Sequence, residues 1–272
     1  MGLEKTYLRV AAETLEQFNA CLEADKVNLI YIDSEMVKAS EYKNLVSMCH
    51  KKSKMAGLRM PHIWRTEAEE YYTRFMKDIK EAGFDVFLFR NFEGAAFFIL
   101  NDLIGESEIV LDSTVYVFNH KSEEFINEIM GKRKCILTLS EELNKNELIR
   151  LRTRLRSEVE LKVYGYASMM VSAQCIRKTV LRCDKCPSVM YLKDRKGAML
   201  PVKNHCLWCY NNILNSVPTV IYDLKKDIDK IVPDYIRYDF TIESEKEVKS
   251  ILNSAGYMPY DFTRGHFKRG VE

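Results

Sequence analysis

The residues with the clearest chemical potential are five cysteines between residues 175 and 209: Cys175, Cys183, Cys186, Cys206 and Cys209. Their spacing is C-x7-C-x2-C-x19-C-x2-C. Two C-x2-C pairs are typical of metal sites, because each pair presents two thiolates from one tight turn. On spacing alone the pattern favours a structural zinc site over an iron–sulfur cluster. The segment between the pairs, YLKDRKGAMLPV, predicts a β-hairpin with its turn at residues 194–197.

The run that precedes these cysteines resembles a family signature. ELKVYGYASMMVSAQC, from Glu160 to Cys175, is similar to the signature of the collagenase-like peptidases, peptidase family U32. The signature glutamate and glycine correspond to Glu160 and Gly165, and Ser168 stands where many members have a further cysteine. The phrases LKDRKG, LPVKN, CYNNILNS and TRGHFKRGVE resemble the carboxy-terminal part of long bacterial members.

The resemblance implies a four-iron four-sulfur cluster. Family members whose chemistry is understood hold this cluster on four cysteines of the same region. These correspond here to Cys175, Cys183, Cys206 and Cys209, with Cys186 as a fifth candidate. Cys175 belongs to that pattern, whereas a zinc ribbon on the two C-x2-C pairs would not use it. We therefore expect the cluster, with structural zinc as the alternative.

The resemblance also implies a reaction. The better-understood relatives add a hydroxyl group to a base of transfer or ribosomal RNA, or to a quinone precursor, without molecular oxygen, and prephenate supports the RNA reactions. Two alternatives stay open. One is a metal-stabilised auxiliary domain that binds RNA or a preceding barrel domain of the same longer chain. The other is the peptidase of the family name, for which the sequence has neither an H-E-x-x-H nor a G-x-S-x-G motif.

The charge distribution predicts a polyanionic partner. The chain has a net charge of +2, but residues 177–205 carry eight Lys and Arg against two Asp. These cations suit RNA phosphates, although they could instead offset the charge of metal-bound thiolates. Candidate substrate-binding residues are Arg177, Lys178, Arg195, Lys196 and, in the tail, His266. Candidates for stacking a base, if they do not pack in the interior, are Tyr164, Tyr166, Trp208 and Tyr210.

The cysteine content predicts a reducing compartment. Eight cysteines are better explained as metal ligands and buried thiols than as disulfides. Cys21, Cys49 and Cys135 lie in apolar segments, where cysteine packs as a small core residue. No apolar run is long enough to cross a membrane, and the amino terminus lacks a signal-peptide pattern. We therefore expect a cytoplasmic protein.

The elements that must position these residues alternate between apolar runs and longer amphipathic segments. The runs predict strands at 7–10, 29–32, 57–60, 85–89, 109–112, 135–139, 160–164 and 235–240. Helical patterns separate them, which predicts an α/β fold, a (β/α)8 TIM-type barrel made by residues 1–272 as a single domain. The break at residues 166–218 predicts a cysteine-rich metal-binding insertion with a β-hairpin after strand 7. We expect Pro218–Tyr222 to pair with that hairpin.

In such a barrel, active sites form at the carboxyl ends of the strands. Polar residues at or just past the predicted ends are Asp33, Arg90, Asn91, Asp112, Ser113, Asn119, Glu142, Tyr164, Asp239, Thr241 and Glu243. Any one of them could instead tether a loop, but together they predict a polar mouth that faces the cysteines. Arg237 is expected to point into the barrel, where it needs a carboxylate partner such as Asp239 or Asp112.

Overall fold

Eight parallel strands form a closed barrel in the computed structural model of the protein, which describes residues 7–131, 133–180, 182–183, 189–253 and 257–269. Each strand is a short apolar run, and burial on both faces favours parallel pairing. The barrel strands are β1 (Tyr7–Ala12), β2 (Val27–Asp33), β3 (Met55–Arg59), β4 (Val86–Phe89), β5 (Glu108–Leu111), β6 (Cys135–Thr138), β7 (Val159–Gly165) and β13 (Tyr235–Asp239).

The strand order closes the barrel. β1 pairs with β2 and β13, the pairing continues in sequence order from β2 to β7, and β7 pairs with β13. All these pairings are parallel. The prediction of a (β/α)8 barrel is therefore confirmed, and every predicted strand overlaps an observed one.

Helices follow the strands and, apart from α8 near the cysteines, surround the barrel. They are α1 (Leu15–Leu22), α2 (Tyr42–Lys51), α3 (Thr66–Arg74), α4 (Met76–Ala82), α5 (Phe92–Leu100), α6 (His120–Met130), α7 (Lys145–Arg152), α8 (Ile176–Val180), α9 (Lys225–Ile231) and α10 (Glu245–Asn253). The main apolar core lies between helices and strands, and a smaller apolar cluster fills part of the barrel interior. Within the described ranges, no helix combines the length and apolar character needed to span a membrane.

Residues between β7 and β13 form a second, antiparallel sheet. Its strands are β8 (Ser168–Ser172), β9 (Val189–Lys193), β10 (Met199–His205) and β11 (Tyr210–Leu214), in the order β8-β11-β10-β9. β9 and β10 form the predicted hairpin, whose turn is closed by the N–H of Asp194 donating to the carbonyl of Ala198 at 2.9 Å. At the opposite end of β10, a turn at residues 206–209 leads into β11.

The expected pairing of Pro218–Tyr222 with the hairpin is wrong. This segment contains the short strand β12 (Thr219–Val220), which pairs antiparallel with β7. The cause is a free edge on β7: β6 pairs only with its first two residues, Val159 and Glu160. An unpaired strand edge offers backbone groups to another segment, and β12 takes up that position.

Gly165, the signature glycine, lets β7 and β13 approach closely. Its φ of +148° suits glycine, and a Cβ built there would lie 2.8 Å from the carbonyl oxygen of Asp239. A side chain at this position would therefore push β13 away from β7. The glycine thereby helps to position Asp239 at the carboxyl end of the barrel.

Candidate functional site

Arg237 lies at the centre of a buried ion network at the carboxyl end of the barrel. Its fully buried side chain contacts Glu160 at 2.6 Å, Asp112 at 2.8 Å and Asp239 at 2.6 Å. The predicted partnership with Asp112 and Asp239 is confirmed. Burial opposes ionisation of Asp112, yet the adjacent Arg237 guanidinium holds the pKa of Asp112 well below its usual range. Asp112 and Arg237 therefore form a charged pair at neutral pH.

Glu160, the signature glutamate, holds Arg237 in position. Its side chain is 0 % exposed and accepts hydrogen bonds from the hydroxyl groups of Tyr31 at 2.9 Å and Thr138 at 3.1 Å. Both carboxylate oxygens of Glu160 are hydrogen bonded in the barrel interior, so this residue orients the side chain of Arg237. The signature glutamate thus has a structural explanation in this fold.

A second network joins the barrel to the antiparallel sheet. Arg59, at the end of β3, contacts Glu13 and lies 3.1 Å from Asp33. Lys203 of β10 also contacts Glu13 and donates to the carbonyl of Thr241 at 3.2 Å. Glu13 was not predicted because the predicted first strand ended at residue 10. Arg59 was not predicted because it lies within a predicted strand, where only the alternation of side-chain direction could have identified it. Lys203 was predicted only as one of the cations of residues 177–205.

Asp33, Glu35 and His205 are, in the part of the chain that the structure describes, the one group of three potential metal ligands with their ligand atoms within 4.8 Å of one another. However, Asp33 also accepts hydrogen bonds from Arg59 and Arg90, each at 3.2 Å. Two guanidinium charges beside the carboxylate oppose a cation at this position. We therefore interpret the group as a hydrogen-bonded link and not as a metal centre.

That link attaches the cysteine turn to the barrel. One oxygen of Glu35 is hydrogen bonded to Nδ1 of His205 at 2.7 Å, and the other accepts from the backbone N–H of Leu207 at 2.7 Å. Leu207 lies inside the turn at residues 206–209. Glu35, which the sequence analysis did not single out, therefore aligns this turn over the end of β2.

The predicted strand-end residues fall into three groups. Asn91 and Asn119 cap helices, since their side-chain oxygens accept from the N–H groups of Gly94 and Ser122. Buried around the two ion networks are Asp33, Arg90, Asp112, Tyr164, Asp239, Thr241 and Glu243. Ser113 and Glu142 line the cavity described next.

A cavity of about 690 Å³ lies among the strand ends, the antiparallel sheet and the carboxy-terminal tail. Ser168 and Met169 of β8 form part of its wall, and so does His266 of the tail. The tail is held beside β12, where the N–H of Thr263 donates to the carbonyl of Pro218 at 2.9 Å. Of the candidate substrate-binding residues, His266 lines the cavity; Arg177, Lys178, Arg195 and Lys196 do not.

Three of the candidate cysteines lie around the start of β11. Cys206 and Cys209 flank the turn into this strand, and Cys209 has a φ of +56°. Cys175 approaches from β8: the N–H of the next residue, Ile176, donates to Oδ1 of Asn211 at 2.5 Å. Strand pairing therefore brings together the segments that carry Cys175 and Cys209, although these residues are more than thirty positions apart in sequence.

Cys175 accepts a backbone hydrogen bond. The N–H of Lys178 donates to its Sγ at 3.5 Å. Cys183 is exposed, and Cys186 lies outside the described residues. By contrast, Cys21, Cys49 and Cys135 are buried, as expected; burial raises the pKa of Cys49 to about 12 and of Cys135 to about 11.

The basic candidates lie in two separate places. Arg177 and Lys178 are in α8, next to Cys175, whereas Arg195 and Lys196 are exposed in the hairpin turn. The seven residues of β10 separate that turn from the cysteine turn, which corresponds to about 20 Å. Arg195 and Lys196 are therefore too distant to offset the charge of metal-bound thiolates.

Three of the four candidates for base stacking pack in the interior. Tyr164, Trp208 and Tyr210 are each no more than 2 % exposed. Trp208 stacks on Tyr72 with ring centroids 5.5 Å apart, because the cysteine turn presses it onto the barrel helices. The packing interpretation is thus correct for these three, and only Tyr166 is half-buried.

Glu243 is a buried carboxyl group that follows β13. One of its oxygens accepts from the backbone N–H groups of Thr241 at 2.6 Å and Ile242 at 3.0 Å. Burial raises the pKa of Glu243 to about 7, because removing a carboxylate from water disfavours its charged form.

This pKa predicts a pH-dependent loss of stability. The folded-state value exceeds the ordinary value of 4.5, so the folded protein retains a proton that the unfolded chain has already released. The free energy of unfolding should fall as the pH rises from about 4.5 to 7, by about 3 kcal/mol in total. Urea unfolding at several pH values should show this slope, and Glu243→Gln should remove it. Exposed Glu106→Gln serves as the control; equal slopes in both variants would contradict the assignment.

Comparison with known proteins identifies the family to which the chain belongs. The sequence model described as Peptidase family U32 matches residues 31–192, more than half of the chain. No curated protein sequence matches this chain.

Solved structures that are similar to this chain have low sequence identity and TM-scores below 0.5. An uncharacterized Bacillus cereus protein is 10 % identical over 93 % of this chain and 66 % of its own, with a TM-score of 0.47. The spore cortex-lytic enzyme SleL of Bacillus cereus is 8 % identical over 92 % of this chain and 74 % of its own, with a TM-score of 0.43. An HpcH/HpaI aldolase of Desulfitobacterium hafniense is 9 % identical over 94 % of this chain and 96 % of its own, with a TM-score of 0.42.

Proposed function

The chain belongs to peptidase family U32, and on that premise we propose that it is an iron–sulfur protein that hydroxylates an RNA base without molecular oxygen. The observation that carries this proposal is the cavity at the barrel mouth. It is bounded by the strand ends, by β8, which leads to Cys175, and by the tail with His266. A cavity of this size lies in the range of small-molecule sites.

In the described part of the chain the thiols are not arranged as a tetrahedral zinc site. Tetrahedral zinc with Zn–S bonds of about 2.3 Å needs sulfur atoms about 3.8 Å apart. Any four of the five cysteines include at least three of Cys175, Cys183, Cys206 and Cys209. Within the described ranges, no three of these thiols come within 4.8 Å of one another. The preference for the cluster rests on the resemblance, through Cys175, which a zinc ribbon on the two C-x2-C pairs would not use.

The proposed cluster would be held by the cysteines and positioned by contacts between the antiparallel sheet and the barrel. Cys175, Cys183, Cys206 and Cys209 would hold the cluster, with Cys186 as the fifth candidate, and the cluster would supply electron or oxygen-atom transfer. Glu35 and the strand pairing of β8 with β11 orient the cysteine turns. The resemblance implies prephenate as a co-substrate, and thiolate ligands imply the reducing cytoplasm.

A second function is favoured by the ion networks. Arg59 and Arg237 are buried and their guanidinium groups are fully engaged by carboxylates, so the barrel interior itself is closed to a ligand. This suits a metal-stabilised auxiliary domain that binds RNA or a preceding barrel domain. A peptidase has weaker support, since Arg59 and Arg90 oppose a hydrolytic metal at Asp33.

Protein purified without oxygen should test the proposal. We expect a brown protein with iron and sulfide at cluster stoichiometry, and RNA affinity that falls steeply as salt rises, because bound cations release counterions from the RNA. Changing Arg195 and Lys196 to glutamine should flatten the salt dependence by about 0.7 per lost phosphate contact in a double-logarithmic plot. The iron content should stay unchanged.

The variant Arg177→Gln/Lys178→Gln is the matched comparison, because these residues adjoin Cys175. Loss of iron in this variant alone would indicate that α8 serves the metal and not the RNA. A colourless wild-type protein with one zinc per chain would rule out the cluster. Absence of RNA binding even at low salt would leave only the metal-stabilised barrel.

A further inference from the structure

The cavity at the barrel mouth has the lining of a pocket for a flat, partly apolar group. Its apolar wall is formed by residues of α7 and β7 and of the segments that follow β6 and β12: Leu139, Leu143, Leu148, Leu161 and Ile221. Hydrogen-bonding and charged side chains form the rest of the lining: Ser113, Thr114, Ser140, Glu141, Glu142, Lys162, Ser168, Asn215, Thr219, Thr263, Arg264 and His266. A cavity with both an apolar wall and hydrogen-bonding groups can bury the face of a ring and hydrogen bond to its polar edge. A nucleobase has this combination of an apolar face and a polar edge.

Tyr116 forms part of this cavity and is also exposed to solvent. Its side chain is 55 % exposed, and its ring stacks on Phe118 with centroids 5.8 Å apart and planes at 23°. Phe118 is itself 38 % exposed. The pair therefore presents an aromatic surface where the cavity meets solvent, unlike Tyr164, Trp208 and Tyr210, which are buried.

The backbone at Tyr116 is strained. Its φ of +58° and ψ of +54° lie in the left-handed region, which bulky side chains rarely adopt. Glycine or asparagine would relieve this strain at the end of the short turn formed by Ser113–Val115. The ring is mostly outside the core, so packing of this side chain contributes little free energy to offset the strain. Such strain concentrates at functional sites.

We propose that Tyr116, supported by Phe118, stacks an unpaired RNA base at the entrance of this cavity. The inference rests on the proposed RNA-modifying function and names the part of the RNA that the site takes. Enzymes that modify a base bring it out of the stack, and single-stranded bases are commonly held on aromatic side chains. The polar groups of the cavity are then available to the edge of the base.

The test uses RNA hairpins that carry the fluorescent base 2-aminopurine at different loop positions, since stacking quenches its fluorescence. With wild-type protein, at least one hairpin should bind with quenched fluorescence. Tyr116→Ala should weaken that binding about tenfold, the size of one lost base–aromatic contact, and abolish the quenching. Tyr116→Phe, which keeps the ring, should bind within about twofold of wild type. Phe125→Ala, an equally exposed aromatic on α6 outside the cavity, is the control.

The outcomes separate this inference from the proposed function. Equal affinity and quenching for Tyr116→Ala and wild type would overturn the inference and leave RNA binding intact. If wild-type protein bound the hairpins and quenched 2-aminopurine fluorescence in none of them, the inference would also be overturned. Equal losses in Tyr116→Ala and Tyr116→Phe, with a lower melting temperature, would indicate a structural role and also overturn it. Absence of RNA binding would contradict both the stacking inference and the proposed RNA-modifying function. Ring-dependent binding by protein that lacks iron would support the inference and contradict the hydroxylase.

Discussion

Substitution of Arg237 by methionine is expected to lower the free energy of unfolding by about 3–5 kcal/mol. The side chain is fully buried and is held by Glu160, Asp112 and Asp239. Methionine fills a similar volume but leaves three carboxylates without their cation, and removing one partner of a buried ion pair strands the remaining charge. Urea unfolding at neutral pH measures the loss. A variant that does not fold at all would be the extreme form of the same result.

Two further variants make this prediction specific. Arg152→Met removes a partly exposed pair with Asp234, 3.2 Å long, and should cost at most about 1 kcal/mol. Adding Glu160→Gln to Arg237→Met should recover part of the stability, because it removes one stranded charge. If Arg237→Met were as mild as Arg152→Met, the network would contribute no more than a surface pair, and Glu160 would need another explanation.

For the proposed iron–sulfur cluster, replacement of Cys206 or Cys209 by serine is expected to release nearly all of the iron. Both residues flank the turn that leads into β11, and Cys209 has a left-handed backbone that costs about 1–2 kcal/mol for a residue other than glycine. A metal bond offsets such strain, and metal binding is coupled to local folding. Iron and sulfide analysis of protein purified without oxygen measures the loss, and proteolysis of the turn reports the loosening.

Cys186→Ser and Cys135→Ser are the controls. Cys135 is a buried thiol of β6 far from the cysteine turn in the strand order, so its substitution should leave the iron content unchanged. Cys186→Ser should have a small effect if this residue is the spare thiol. Equal iron loss from Cys186→Ser and Cys175→Ser would mean that the fifth cysteine is assigned wrongly.

Much of the fold was predictable because its signals are local. Each barrel strand is a short apolar run, and its type and order follow from the spacing of apolar residues. The hairpin from β9 to β10 follows from the turn residues at 194–197. The pairing of β12 was not predictable in this way. It depends on the edge of β7 that β6 leaves free, and this edge exists only once the barrel closes.

In the candidate site, too, the residues with local sequence signals were predicted and those that depend on tertiary contacts were not. Cysteine spacing and the resemblance identified the thiols, and the strand ends identified Asp112, Asp239 and Glu243. Glu13 and Glu35 were missed, and the partner of Lys203 was not predicted, because each of these residues pairs with a group distant in sequence. Tyr116 was missed because nothing local marks a tyrosine as exposed: the same residue type is buried at Tyr164 and Tyr210.

The sequence by itself determined the barrel, the family signature and the set of thiols, because each is encoded in residue types at fixed local spacing. Only the tertiary structure decided which charges pair, which aromatic rings are buried and which loops share the cavity. Those outcomes depend on burial and on distances between segments far apart in the chain. Arg237 shows both parts: its sequence position predicted an inward charge, whereas closure of the barrel brought Glu160 and Asp112 within 3 Å of it.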